Sequence, residues 1–405
     1  MTKDATPQAE GPLAGLRVIE MGSLIAGPFC GQLMGDHGAE VIKLEPPGQG
    51  DPMRGWGRAK LDGRSLWWPV LGRNKKSVTL DLRQAEGQAI ARDLIATADI
   101  VVENFRPGTL EKWGLGYDVL SARKPGLILT RMSGYGQTGP YKDRTGFGAI
   151  GEAMGGFRYV TGDPDRPPAR AGISIGDSIT ATMGCLGAMM ALQSRARTGR
   201  GQVVDSALFE SVLAMMESTV TEYDRTGFVR GRSGAILPQI APSNVYPCAD
   251  GMSVLIAANN DGIFRRFAQA AGHSEWARDP AYATHDARGE NQAELDAVIS
   301  AWTATLTSAE VLERMVAASV PAGSIYTAAE MLADPHFAAR EAIVEVEAPD
   351  LGPLKMQGVF PKLSATPGRV RWTGPTLGQH NDEILGGVLG LSEAERARLH
   401  AAGVV

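Results

Sequence analysis

Cysteine is scarce in this chain, with three in 405 residues, at Cys30, Cys185 and Cys248. They are odd in number, widely spaced and form no CxxC, so neither a disulfide framework nor a cysteine zinc site is expected. The six histidines are scattered without HExxH or HxH, which leaves no metal site to expect. Two nucleotide signatures are also missing. The turn GSLIAGPF has glycines at 22 and 27, off the GxGxxG spacing, and there is no P-loop GKS or GKT. No apolar run reads as long enough to span a bilayer. The N-terminus, MTKDATPQAEG, is polar and lacks the apolar stretch of a signal peptide. A cytoplasmic protein without a membrane partner is the expectation. A net charge of −5 argues against general nucleic-acid binding.

The length exceeds what one hydrophobic core usually serves, so at least two domains are expected. Hydrophobic residues make up 43%, as in a soluble globular protein. The charge is uneven. Between Asp51 and Ala85 lie eight bases (Arg54, Arg58, Lys60, Arg64, Arg73, Lys75, Lys76, Arg83) against three acids. A basic region on an acidic protein suggests a small polyanionic ligand; a solvated loop is the plain alternative.

Strand-like segments are Leu16–Met21, Val41–Glu45, Ser77–Leu82, Asp99–Phe105 and Leu127–Ser133, with helices over Pro28–His37 and Glu86–Ala98. Such alternation implies parallel strands with helices on both faces, an α/β fold. A Gly-rich region follows at Gly146–Gly156. Asp177 opens a small-residue helix to Ala196, then come a strand, VVDSAL, and a helix over Phe209–Arg225. Composition shifts near Gly227, and a second domain is placed from Asn244 to Ala322. IVEVEA and LKMQGVF in the tail read as strands, and the last residues as two short helices.

Four segments can carry chemistry. The turn after the first strand leads into a helix N-terminus, which can hold a phosphate through free N–H groups. VENFRPG (Val102–Gly108) lies at the carboxyl end of a strand, where ligands of open parallel sheets bind; Asn104 can equally cap a helix. In GDS (Gly176–Ser178), Asp177 is either an N-cap or a carboxylate nucleophile suited to a thioester. The glycine loop GYGQTGPY offers backbone amides to an oxyanion, or is an ordinary turn.

Taken in order, PLAGLRVIEMG, AGPFCGQLMGDHGAEVIKLEPPGQGDPMR, NKKSVTLDLR, ADIVVENFRPGTLEKWGLGY, GYGQTGPY, GDS, TGRGQVVDSALFES, PSNVYPCADG and GQHNDEIL resemble the class III CoA-transferase family, which includes formyl-CoA transferase and carnitine CoA-transferase. The resemblance covers nearly the whole chain. It implies a Rossmann-like α/β large domain built from both chain ends (1–226 and 324–405), a smaller α+β middle domain (227–323), and two chains interlocked as a homodimer. It implies acyl-CoA as substrate, a small carboxylic acid as acceptor, and no permanently bound cofactor.

By the same resemblance Asp177 is the nucleophile. CoA is expected along Leu24, Ala26, Asn74, Lys75, Leu80, Arg83, Asn104, Phe105, Arg106 and Lys112, where charge-assisted bonds suit its phosphates. The acyl group is expected near Ser23, Ile25, Tyr135 and Gly136. Arg54, Arg58 and Arg170 are candidates to read a second carboxylate, with succinyl-CoA as the expected donor. The chain has Ser23 and Ile25 where formyl-CoA transferase has His and Gln, and lacks its run of glycines in GRSGAILPQIAPS. The racemases of the same fold carry a proton-moving His where Phe147 stands here. An α-methylacyl-CoA racemase and a non-catalytic CoA-binding protein are the alternatives.

Overall fold

The computed structural model describes residues 11–405; the polar N-terminus that carries the cytoplasmic expectation lies outside them. Contacts divide the chain into two units. The first comprises residues up to Phe157 with Ala171–Asp224 and His336–Val405, the second Arg158–Arg170 with Arg225–Pro335. The second unit therefore takes in a segment, 158–170, that the sequence reading assigned to the first part, and it runs on past residue 323.

The first unit is built on six parallel strands. In chain order the elements are β1 (Arg17–Glu20), α1 (Ala26–Asp36), β2 (Glu40–Glu45), β3 (Lys75–Thr79), α2 (Ala85–Ala96), β4 (Ile100–Glu103), α3 (Thr109–Lys112), β5 (Ile128–Ser133), α4 (Gly148–Met154), α5 (Ile175–Thr198), β6 (Val203–Ala207) and α6 (Leu208–Leu213). The spatial order is β3-β2-β1-β4-β5-β6, a doubly wound arrangement. Short β-branched runs suit buried parallel strands, and neighbouring residues serve opposite faces. Val18, Val41, Ile100 and Ile128 pack under α1 and α5 with Met34, Ala181 and Ala188. Ile19, Ile42, Val101 and Leu129 pack under α2 with Ile90, Leu94 and Ile95.

The C-terminal segment closes the β3 edge. The N–H groups of Ser77, Thr79 and Asp81 donate to His380 Nδ1 (3.1 Å), Asn381 Oδ1 (2.9 Å) and the Val404 carbonyl (2.8 Å). These are alternate residues, the set an edge strand leaves unpaired. The α/β large domain is thus completed from both chain ends, and the GQHN motif caps its sheet.

Three elements differ from the sequence reading. The Gly-rich region is helical as α4, because Gly151 and Gly155 let it approach Leu208 and Val212, whose side chains would collide with a Cβ at either position. The helix expected over Phe209–Arg225 is two, α6 and Thr219–Thr226. The helix α5 has 24 residues and is apolar enough, by length and composition, to cross a bilayer, which corrects the expectation that no run reaches that length. Its small residues pack on the sheet, while Leu186 and Met190 on another face are exposed.

The second unit has a three-stranded antiparallel sheet of Ser243–Pro247, Ser253–Ala257 and Ala322–Ser324. Helices Asp261–Ala270, Gln292–Thr303 and Ser308–Ala317 cover it through Phe264, Phe267, Leu295, Ile299, Trp302 and Met315.

The strands of the first unit also bury charge. Lys75, Glu20, Lys43 and Asp51 are at most 2% exposed and alternate in sign. Lys75 and Lys43 lie 2.8 Å from opposite oxygens of Glu20, and Lys43 lies 2.8 Å from Asp51. Burial alone would lower both ammonium groups. For Lys43 the three carboxylates of Glu20, Asp51 and Glu45 outweigh burial and hold it above the ordinary lysine value. Lys75 stays below that value, because burial and Lys43 oppose its one carboxylate partner. Breaking a buried ion pair on one side costs about 3–5 kcal/mol. Lys43→Met is therefore expected to lose stability on that scale in chemical denaturation; a loss under about 1 kcal/mol would show the chain of charges to be dispensable.

Candidate active site

The site forms at the carboxyl ends of β1 and β4, where the strand order reverses, the switch point at which doubly wound sheets bind ligands. The turn after β1 is held from three sides. Lys43 Nζ donates to the Gly22 carbonyl (2.8 Å). Asn104 accepts from the Ser23 N–H and donates to the Ser23 carbonyl (both 2.8 Å). Asp51 accepts from the N–H of Leu24 (3.2 Å), a residue with φ of +64°. Both polar atoms of the Asn104 amide are thus occupied in fixing this turn.

The segment after β4 is held as firmly. Glu103 Oε2 accepts from the Phe105 N–H (2.7 Å), and Glu103 Oε1 accepts from Arg131 Nε (2.7 Å). The same guanidinium donates to Glu111 on α3 (2.7 Å). One arginine of β5 therefore clamps both ends of the Asn104–Lys112 segment. Burial raises the Glu103 carboxyl from the ordinary 4.5 to about 7, although Arg131 opposes the shift.

Asp177 is not the N-cap of α5. The cap position is Ser174, and Asp177 is the third residue of the helix. Its carboxylate lies against Gly148, the first residue of α4, where a Cβ would overlap Oδ2 and the carboxyl carbon. Glycine is required there by the approach of the carboxylate, and a helix N-terminus favours the negative charge placed against it.

Two cavities meet at these loops. The first, ≈ 170 Å³, contains Asp177 together with Ser23, Leu24, Ile25, Ala26, Asn104, Phe105 and Arg106. The second, ≈ 350 Å³, contains Leu80, Arg83, Gln49 and Trp113, and shares Ser23 and Phe105 with the first. Phe105 packs edge-on against Trp113 with centroids 5.1 Å apart. A small chamber with a carboxylate, joined to a larger groove with an arginine at its rim, suits an acyl group on a long polyanionic carrier.

Several expected residues lie elsewhere. Lys75 is wholly buried, pairs with Glu20 and donates to the Pro28 carbonyl (2.6 Å). Asn74 is buried and bonded to Asp36 and the Arg369 carbonyl. Neither presents a polar group to the cavities, so their assignment to CoA is corrected. Arg54 is held by both oxygens of Glu45 (2.8 and 2.7 Å) and lies over Trp68. It lines a separate cavity of ≈ 670 Å³ with Arg64, Lys76 and His380. Every strong cation there is already paired, Arg64 with Asp350 and Lys76 with Glu40 and Glu383. Despite its size, that cavity offers an anion no free charge.

Tyr135 and Gly136 do not line the Asp177 cavity; Ser133 and Gly134 do. Tyr135 packs on Tyr141 and Phe209. The amides of Gly136 and Gln137 are taken by Ser133 Oγ (3.0 Å) and Asp205 (2.8 Å), so neither is available to an oxyanion. Arg58 and Lys112 are exposed outside the lining of both cavities, and Arg170 is exposed in the second unit. The sequence reading missed Met132, Arg144, Thr145 and Leu208, which complete the Asp177 cavity, and it cited Phe147 only as a missing histidine. The one available signal was the cation-rich run YKDR following the glycine loop.

Two outcomes are expected. Gly148→Ala displaces the Asp177 carboxylate and lowers kcat at least ~100-fold with the fold retained, checked by activity and circular dichroism. Glu103, with its folded-state value raised, binds more protons when folded than when unfolded between pH 4.5 and about 7. Stability from this group is therefore full below pH 4.5 and falls as pH rises through that window, by about 3 kcal/mol in all. Denaturation of wild type and Glu103→Gln across pH 5–8 checks this: the fall in wild type should be absent from the variant.

The sequence comparisons agree with this geometry. The model of CoA-transferase family III matches residues 13–381. The chain is 61% identical to the succinyl-CoA–D-citramalate CoA-transferase of Chloroflexus aurantiacus, over 97% of this chain and 98% of that one. It is 43% identical to the β subunit of the succinyl-CoA–L-malate CoA-transferase of the same organism, over 97% and 98%. Among solved structures, a CAIB/BAIF family protein from Brucella suis superposes with a TM-score of 0.83 at 35% identity, covering 94% of this chain and all of that one. With its doubly wound sheet, its paired cavities and a family match across nearly its whole length, this chain belongs to CoA-transferase family III and is a CoA-transferase.

Proposed function

We propose that this enzyme moves CoA from succinyl-CoA to a small dicarboxylic acid of the citramalate or malate type, with Asp177 as the covalent acyl acceptor. The observation that carries the reading is the placement of the Asp177 carboxylate in a small chamber opening beside the strand-end groove. The relatives that use succinyl-CoA with D-citramalate or L-malate support the choice of acids. At ≈ 170 Å³ the chamber falls below the ~300 Å³ at which pockets for drug-sized ligands begin, which suits a short acyl chain.

The steps balance without ATP. The Asp177 carboxylate attacks the thioester carbonyl, the C–S bond breaks, and an acyl–aspartyl anhydride and CoA thiolate form. The thiolate attacks the aspartyl carbonyl and releases succinate, leaving an aspartyl–CoA thioester. The acceptor carboxylate attacks that thioester and expels the thiolate again. The thiolate takes the acceptor acyl group from the new anhydride and restores Asp177. In this reading Arg106 meets the CoA phosphates, and Leu80, Phe105 and Trp113 its apolar surfaces.

Phe147 lines the same chamber and has no titratable group, which weighs against a racemase in which that position moves a proton. The exposed apolar residues Ile150 and Met154 on α4, with Leu186 and Met190 on α5, support self-association as a homodimer.

The test is one assay. Protein, succinyl-CoA and a panel of citramalate, malate, glutarate and monocarboxylic acids are incubated, and the CoA esters are read by mass spectrometry. New dicarboxylic acyl-CoA is expected, reduced ~10³-fold or more in Asp177→Asn. Full activity in that variant would refute the covalent role; α-carbon deuterium exchange without transfer would favour the racemase.

A further inference from the structure

The functional reading requires a cation for the carboxylate at the far end of a succinyl group, and the sequence candidates do not supply one. Arg54 is closed off by Glu45, and Arg58 lies outside the chamber. Other arginines of the first unit are engaged likewise: Arg73 with Asp36, Arg83 with Asp81, Arg131 with Glu103 and Glu111. Two guanidinium groups line the Asp177 chamber, Arg106 and Arg144. Among the described residues neither has a carboxylate within ion-pair distance.

We infer that Arg144 is the residue that reads the distal carboxylate of the acyl group and so sets the preference of the enzyme for dicarboxylic acids. This deepens the proposed function and rests on it. Arg144 lines the chamber with Asp177, Thr145, Gly146 and Phe147. Its guanidinium carbon lies 3.5 Å from the centroid of the Tyr141 ring. Tyr141 packs edge-on against Tyr135 (5.9 Å), which leans on Phe209 (6.5 Å). The aromatic stack holds one face of the guanidinium, and a cation held over a ring keeps its N–H edge for a planar partner. The backbone is fixed too, since the Arg144 N–H donates to the Tyr141 carbonyl (2.9 Å).

An arginine offers a carboxylate two parallel bonds, the arrangement with the most geometric selectivity. Arg106 differs in position. It follows Phe105, the side chain common to both cavities. One free cation thus serves the carrier and the other the acyl end.

The test is a binding measurement in an Asp177→Ala background, where no turnover occurs. Succinyl-CoA and butyryl-CoA have acyl chains of equal length and differ in the distal carboxylate. Arg144→Gln is expected to weaken succinyl-CoA at least tenfold and butyryl-CoA less than twofold. Arg144→Lys, which keeps the charge and loses the fork, should fall between. Equal weakening of both ligands, or no change in either, overturns the inference. If the Gln variant fails to fold, the Lys variant decides: parallel loss of both ligands rejects the assignment, and selective loss of succinyl-CoA upholds it. If the enzyme with Asp177 and Arg144 intact transfers no CoA to any dicarboxylic acid, the functional reading fails first and takes this inference with it.

Discussion

Lys43 bonds three groups at once: Glu20 on the neighbouring strand, Asp51 in the loop beyond β2, and the carbonyl of Gly22 in the turn after β1. The site depends on that ammonium. Desolvating a charge costs several kcal/mol, and the cost is recovered only where partners of opposite sign are close and well placed. Here Lys75, Glu20, Lys43 and Asp51 form a buried chain with equal numbers of each sign. Asp51 then passes the constraint outward, because it accepts from the N–H groups of Leu24 and Met53. A turn containing a left-handed leucine is strained; the network over-determines it, and the chamber wall at Ser23–Ala26 is rigid in consequence.

The same economy decides which cations are left for a ligand. Most arginines around the sheet are already paired: Arg54 with Glu45, Arg73 with Asp36, Arg131 with two glutamates. Arg106 and Arg144, on the loops after β4 and β5, have no such partner among the described residues. A polyanionic thioester therefore meets free guanidinium groups only around the mouth and wall of the chamber. The interior stays neutral and does not compete for the phosphates. Arg131 contributes indirectly, since by gripping Glu103 and Glu111 it fixes the segment that presents Phe105 and Arg106.

The strands were legible from sequence because apolar runs of four to six residues mark them wherever both faces are buried. Positions 16–21, 41–45, 99–105 and 127–133 were each read close to their true limits. The GDS motif, the turn after β1 and the NFR segment, all singled out in the sequence, line one cavity. The basic stretch from Arg54 to Arg83 misled, because a count of charges does not show their partners. Asn74 and Lys75 looked like phosphate ligands and are core residues that complete ion-pair and hydrogen-bond networks with Asp36 and Glu20. Arg144 passed unnoticed for the converse reason: it is a lone arginine in a loop, and only the folded chain brings it to the cavity of Asp177. The Gly-rich helix α4 was hidden because its glycines serve close packing on Leu208 and Val212, not a turn.

The choice between a helix cap and a nucleophile at Asp177 could not be made from the sequence, since either role fits an aspartate at the start of a helix. The structure shows that Asp177 is not the cap residue. A cap residue stands outside the first turn and turns its side chain back on the helix it begins. Asp177 is inside that turn, and Ser174 occupies the cap site without a side-chain bond. Its carboxylate instead reaches a second helix, α4, at Gly148, where there is no Cβ to block it. Satisfying α5 does not require that reach, and the atoms nearest a Cβ at position 148 are those of the carboxylate. Next to it, Phe147 presents an inert ring where a proton donor would stand in an isomerase. In the proposed mechanism, an acid that stays a carboxylate, flanked by a group that cannot exchange protons with substrate, attacks a carbonyl carbon and does no work at the carbon beside it.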